Sequence, residues 1–509
     1  MIISLSVLVI TIIVSGTYAL YKAQLSKNIG VNTTTHGLAY YINYVKGTDI
    51  TAATLNPSTS YEGGASSDIE FWKKDDSYDI YGKIELTVNT IGTNLSNSPA
   101  LKYAVVNNGN VLKEGSLKGT TSGSKVTILK NLYLEQTKQI YTVYVWLDNS
   151  EELGNISNES LSISVYCTAS LQKEPAADTI ISLYTSAAKV TATNNSITYN
   201  TAPSVSLMND RLGGTTTSLD GGNIRYYGAS PNNYIYFNCS DYSNQTSSTC
   251  ETWRIIGVFD GKLKLIRGSQ IGRYSWDNKN ISTGAEDDRG KNDWTTARLM
   301  KLLNPDDYYI NDNNDKDSEG NYLGYSLYYN SASGMCFTDE GVNYSACDFT
   351  STGIKNDETR NMIAETTYNL GGWNDTGVYP NEIYEYERGT TVYTGRPTTW
   401  TGKIALAYPS DYGYAADLNQ CKQTLANYDN STCTSNNWMK AIITDNGSNH
   451  GWLLTPDSSY SFGAWYSHGN VGEYFTGAAR GAVPVLSLSS KLGIESGDGS
   501  SSNPYKLSA

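Results

Sequence analysis

Residues 451–488 read GWLLTPDSSYSFGAWYSHGNVGEYFTGAARGAVPVLSL. Two short runs, 462–467 and 471–475, flank His468-Gly469-Asn470. Gly and Asn tolerate the positive φ of a tight turn, so the stretch predicts a β-hairpin. A third run, 483–489, has strand-forming residues and is expected to pair beside it. Tyr460, Trp465, Tyr466, His468, Asn470, Glu473 and Tyr474 fall on or near turns, where a rigid sheet presents binding residues. Strand alternation turns about half of such a set inward, so each is either packing or ligand surface. Tyr and Trp offer large contact area for little entropy, and Asn adds adaptable hydrogen bonds. These seven are the candidate ligand-binding residues, whereas Trp452 and Val485 are expected in the core.

Outward from that stretch, 509 residues are too many for one core, so two or three domains are expected. A modest hydrophobic share of 39%, with 41 Tyr and 46 Gly, favours extracellular β-structure over a helical cytosolic enzyme. The formal net charge of −13 argues against nucleic acid as a partner. Six of the seven cysteines form local pairs of similar spacing, Cys239 with Cys250, Cys336 with Cys347, and Cys421 with Cys433. Sequence alone does not prove this connectivity, but it is the simplest, and it implies an oxidising compartment. No pair has C-x-x-C spacing, so no zinc site is expected. Cys167 is left over on the apolar face of the alternating LSISVYC run, as a buried, inert thiol.

Residues 1–20 are nearly all apolar and long enough to enter a bilayer. Thr17-Tyr18-Ala19 places small residues where a signal peptidase cuts, although a basic n-region is lacking. A cleaved export signal and a retained anchor both remain open, and this segment is the only expected contact with a membrane. Residues 21–67 read as an extended N-terminal segment. From 68 to 169, KIELTV, LKYAVV, the NNGN turn and the runs 125–135, 139–147 and 160–168 are short strands at regular spacing, a sandwich or jelly-roll pattern. The 139–147 run is apolar on both faces and so is expected to be central.

The segment KYAVVNNGNVLKEGSLKGTTSGSKVTILKNLYLEQTKQIYTVYVWLDN resembles the TasA/camelysin-type extracellular domain of Gram-positive bacteria. The resemblance implies an extracellular jelly roll, and in some members assembly into matrix fibres by donation of an N-terminal strand, here about 33–45. Camelysin-like members are classed as metalloproteases. This chain has three histidines, His36, His450 and His468, and no H-E-x-x-H, so the ligands for that chemistry are missing.

Residues 170–222 are rich in Ala, Ser, Thr, Asn and Gly and read as a linker with one short helical or extended piece at 178–187. Beyond it lie eight of the ten tryptophans and all three cysteine pairs. Strands are expected at 234–238, 252–258 and 262–267, with Asp260-Gly261 as a hairpin turn. Helices are expected after the caps Asn292-Asp293 and Asn356-Asp357, ended by Pro305 and by Gly371-Gly372. The runs TWRIIGVFDGKLKLIR, NDWTTARLMKLLNP, RPTTWTGKIALAYPSDYGYA and GDGSSSNPYKL resemble an uncharacterised surface-protein domain of Bacilli. Its element order is similar to the C-type-lectin-like fold, including the formylglycine-generating-enzyme branch. The resemblance implies a ligand surface on the C-terminal hairpin. The group's Gly-x-Arg-Pro-Val-Leu ending is replaced by Gly481-Ala482-Val483-Pro484-Val485-Leu486, so any ion pair of that Arg is lost unless Arg480 substitutes.

No constellation supports catalysis. The locally paired cysteines do not suit formylglycine formation, GTTSGSK lacks the order of a phosphate loop, and no G-x-S-x-G occurs. Asp315-Lys-Asp317-Ser-Glu319-Gly320 lacks the bidentate Glu of an EF-hand, and Trp373-Asn374-Asp375 matches a lectin calcium triplet without its usual partners. No metal or cofactor is therefore expected. The expected fold is mainly β with an α+β C-terminal domain: a jelly roll or β-sandwich at 68–169, then a C-type-lectin-like domain at 223–509. The expected function is that of an exported, adhesin-like surface protein binding a glycan or protein. The alternative is a self-assembling fibre or biofilm-matrix subunit.

Overall fold

The computed structural model describes residues 23–25, 41–51, 55, 57–76, 78–156, 159–210, 222–277, 289–305, 327–330, 334–339 and 343–508; for 23–25, 329, 334–339 and 343–347 only the backbone is described. The apolar N-terminus, the acidic loop at 315–320 and most of the 213–222 turn lie outside these. No helix among the described residues is long and apolar enough to cross a membrane. The chain is mainly β, built of antiparallel sheets, and divides into two compact units, the first ending at Glu174 and the second beginning at Pro175.

The first unit is a two-sheet sandwich. One sheet orders Ala23–Leu25, Leu161–Ser170, Tyr81–Ile91 and Lys125–Tyr133, with Ile50–Thr51 also against Leu161–Ser170. The other orders Ile42–Val45, Ala65–Lys73, Ile140–Asp148, Leu101–Asn107 and Asn110–Ser116. Alternation supplies the core: Ile84, Leu86 and Val88 from one sheet meet Ile69, Phe71, Val143 and Val145 from the other, all buried. Ile140–Asp148 is central, as expected from its two apolar faces, and its outer face packs Trp146 with Ala104 and Val106. The Asn108-Gly109 turn takes φ of 48° and 78°, the left-handed pair that a two-residue hairpin loop requires. Cys167 is free and buried, and burial pushes its thiol well above the usual range.

The second unit carries a nine-stranded sheet whose middle is Ile224–Tyr226, Glu251–Phe259, Lys262–Arg267 and Val485–Ser487. Residues 170–222, expected as a linker, are largely folded. Helix Ala176–Ser186 buries Ile180 and Tyr184, and Val190–Asn194, Ile197–Ala202 and Leu207–Asn209 extend the sheet. Small and polar residues misled the reading because sheet pairing satisfies their backbone, leaving few apolar side chains, Tyr199 and Met208 among them, to fill the space. The helix expected from Asn292 begins only at Arg298 and ends at Leu303. Asn356 does cap Asp357–Met362, accepting from the Thr359 amide at 2.9 Å, but Thr366–Asn369 is a strand.

Val485–Ser487 does not join the C-terminal hairpin. It pairs with Lys264–Ile266 and Ile404–Ala405 in the large sheet. Pro484 lacks an amide for a ladder, and Val485 and Leu486 fill two different hydrophobic clusters, which only a strand covered on both faces allows. Disulfides join Cys239 to Cys250 and Cys421 to Cys433. The backbone at Cys336 and Cys347 forms a hairpin, while their side chains lie outside the description.

Candidate functional site

Gly463–Ser467 and Val471–Phe475 pair antiparallel, with Gly469 at φ 103° and the His468 amide donating to the Asn470 carbonyl. This hairpin forms one edge of a five-stranded sheet, beside Gly451–Pro456, Ala479–Gly481 and Arg273–Ser275. Asn292 ties the loop leading into it: its amide donates to the carbonyls of Asp457 and Tyr460, each at 2.8 Å, and Arg396 holds its oxygen at 2.9 Å. The pairing puts Trp465 opposite Glu473 and Ala464 opposite Tyr474. Side chains alternate along a strand, so Tyr466 and Tyr474 share one face, Trp465 and Glu473 the other.

The Tyr466 face is aromatic and cationic. The Arg480 guanidinium lies 4.1 Å from the Tyr466 ring, 4.2 Å from Tyr474 and 5.5 Å from Trp452. Its Nη1 donates to His450 Nδ1 at 2.6 Å. Arginine can only donate, so this nitrogen of His450 is unprotonated and the ring is neutral. Partial burial, then the charge of Arg480, lower the His450 pKa to about 4, which agrees with that assignment. The imidazole stacks on Tyr466 with centroids 5.2 Å apart and lies tilted against His468 at 3.9 Å. Arg480 meets no carboxylate among the described residues, and its contacts are with rings rather than an ion pair. Tyr474 is 41% exposed and His468 is exposed, so the rings over Arg480 form a solvent-facing platform.

The other face is acidic. Glu473 is held up to about 8 by partial burial, then by the neighbouring Asp457 carboxylate and the charge of Asp375. Asp457 is buried and caps its own loop, accepting from the amides of Ser459 and Tyr460. Trp465, expected as either packing or ligand surface, is packing: it is fully buried, and its Nε1 donates to the Trp373 carbonyl at 3.1 Å.

Of the seven candidate residues, the fold brings together Tyr466, His468 and Tyr474. Tyr460 is exposed but stacks on Phe462 in the preceding loop, and Asn470 donates to the Ala426 carbonyl at 3.3 Å. Arg480 and His450 complete the platform from neighbouring strand ends. No local motif marks them as partners of the hairpin, since only strand order brings them to it. Near the Trp-Asn-Asp triplet, Asn374 donates to Ser459 at 2.8 Å, and no metal-like cluster of three ligands occurs among the described residues.

No family model matches this chain, and no curated protein does. Solved structures with some likeness include an HCR/D mutant (12% identity, TM-score 0.16, covering 53% of this chain and 76% of that one). Another is the receptor-binding domain of botulinum neurotoxin mosaic serotype C/D (12% identity, TM-score 0.15, covering 53% and 76%). At such scores the likeness carries no argument about ligand or mechanism.

Proposed function

We propose that the chain is an exported bacterial surface protein that binds a glycan or protein ligand on the Tyr466–His468–Tyr474 platform, a role of binding rather than catalysis. The observation that carries this reading is a solvent-facing aromatic cluster backed by a buried arginine that meets no carboxylate among the described residues. Rings of this kind stack on the apolar face of a sugar or on a peptide side chain, and the hydroxyls of Tyr466 and Tyr474 and the His468 ring nitrogens supply hydrogen bonds at the rim. Two disulfides support an oxidising, extracytoplasmic location. The resemblance to lectin-like surface domains favours the same end of the molecule.

The test is a glycan and cell-surface protein array probed with the full chain and with Tyr466→Ala, His468→Ala and Tyr474→Ala. Loss of about tenfold in affinity or more for the tyrosine variants, with unchanged circular dichroism, is the expected result. Equal binding by all three variants would reject the platform.

A second reading, a fibre subunit of TasA-like type, is favoured by Ile42–Val45, which occupies the edge of its sheet at the end of the segment expected to be donated. An edge strand of four residues is easily exchanged between copies. Filaments in electron micrographs of the purified chain would favour it, and a persistent monomer would remove it.

A further inference from the structure

A cavity beside the large sheet of the C-terminal unit holds an arginine that meets no carboxylate among the described residues. It measures about 420 Å³ and is lined by Tyr234, Glu251, Thr252, Arg254, Arg267 and Ser269, among others. That volume falls within the roughly 300–1,000 Å³ of small-molecule sites. Arg254 is only 7% exposed. Its Nε donates to Asn233 Oδ1 at 2.5 Å and its Nη2 to the Pro231 carbonyl at 3.3 Å, both neutral acceptors. The guanidinium lies over the rings of Tyr234, at 3.7 Å, and Trp438, at 4.9 Å. Ring contacts stabilise a cation without neutralising it.

The neighbouring charges are spent on each other. Arg267 pairs with Glu251 at 2.9 Å and donates to the Ser269 and Gln270 carbonyls. Glu251 also accepts from Asn238 and from the Trp253 indole, each at 3.0 Å. The lining therefore keeps one net positive charge, and its source is Arg254. Elsewhere in the same sheet Arg225 is buried against two carboxylates, Asp210 and Asp411. Burial lowers Arg254 to about 10, which still leaves it charged at neutral pH. A buried cation whose acceptors are all neutral is costly, and an oxyanion entering the cavity would lower that cost.

We propose that this cavity binds a small polar molecule carrying an oxyanion, a carboxylate or sulfate on a single sugar residue, with the anionic group on the Arg254 guanidinium. The planar fork matches either oxyanion, Thr252 lines the cavity, and the Ser269 hydroxyl, which accepts from Arg267 at 2.9 Å, keeps its own hydrogen to donate to the rest of the ligand.

The experiment is calorimetric titration of the full chain with sodium glucuronate, glucose 6-sulfate and glucose. At least one acidic sugar is expected to bind saturably, with glucose at least tenfold weaker. The two acidic probes separate a carboxylate ligand from a sulfate one. Arg254→Gln is expected to weaken the acidic sugars at least tenfold. Should that variant fail to fold, Thr252→Trp decides, because it fills the exposed mouth of the cavity and leaves Arg254 in place. Equal binding of glucose, no binding of either acidic sugar, or undiminished binding by the folded variants would overturn the proposal.

Discussion

Lysines of the sandwich meet their carboxylates at the rim: Lys102 reaches Asp148 at 2.6 Å, and Lys73 reaches the exposed Asp76 at 2.7 Å. In the C-terminal unit the corresponding charges are inside. Asp411, 1% exposed, accepts from Arg225 at 2.8 Å and from Lys264 at 2.5 Å, and Asp210 takes the other edge of Arg225. Arg225 is further enclosed by Phe259, Tyr384 and Tyr414. Two sheets with strict alternation fill the space between them mostly with apolar side chains, and the one buried lysine among the described residues there, Lys73, sits at a strand end from which it reaches the exposed Asp76. The C-terminal unit, with short helices and loops packed on both sides of a sheet, buries polar backbone and side chains that must find partners. The ion pairs of the sandwich therefore keep contact with solvent on at least one side, whereas those around Asp411 are buried on both.

Removing the central carboxylate is the sharpest test of that contrast. Asp411→Ala leaves Arg225 and Lys264 buried with one carboxylate between them, and is expected to cost about 3–5 kcal/mol. The loss should appear in denaturant unfolding followed by tryptophan fluorescence, to which the C-terminal unit contributes most of the signal. Lys102→Ala in the sandwich, which breaks an ion pair at the rim, is expected to change stability by about 1 kcal/mol or less. Similar values for both variants would break the comparison.

The disulfides sharpen it further. Replacing both Cys421 and Cys433 by Ala is expected to cost about 2–4 kcal/mol, because the link closes a short loop and restrains the unfolded chain. The unfolding of the sandwich, with only the free Cys167, should not respond to reductant. Peptide mapping without reduction is expected to recover Cys239–Cys250 and Cys421–Cys433 as linked peptides.

On the two faces of the hairpin the groups are only partly buried, so solvent screens them and the effects are small and of opposite sign. His450 titrates near 4 in the folded protein, below the roughly 6.5 of an unfolded histidine. Its contribution is present above about pH 6.5 and is lost as pH falls toward 4. Glu473 titrates near 8, above the roughly 4.3 of an unfolded glutamate. Its contribution is present below about pH 4.3 and is lost as pH rises toward 8. Thermal melts from pH 4 to 9 should therefore show His450→Gln flattening the acid side and Glu473→Gln the alkaline side. The same flattening from both variants would mean that the two faces are coupled.

The strands of the sandwich were legible because alternation at 83–88 and apolarity on both faces at 139–147 are local signals that the packing obeys. The linker reading of 170–222 failed for the converse reason: its strands are recruited by a sheet whose other members come later in the chain, and small polar residues show no pattern of their own. The hairpin turn at His468-Gly469-Asn470 was legible, whereas the identity of the platform was not.

By itself, the sequence determined the mainly β character, the turn chemistry at Asn108-Gly109 and Gly469, the local cysteine pairs at 239/250 and 421/433, and the burial of Cys167. Period, turn type and short loop closure act over a few residues, so composition and spacing express them. Only the tertiary structure decided that Trp465 turns inward to the Trp373 carbonyl while Tyr466 turns outward onto His450. It alone placed Arg480 under two tyrosines and left Arg254 facing a cavity. These are contacts between strand ends and loops far apart in the chain. They depend on sheet order, and alternation says that two neighbouring residues face opposite ways without saying which of them faces in.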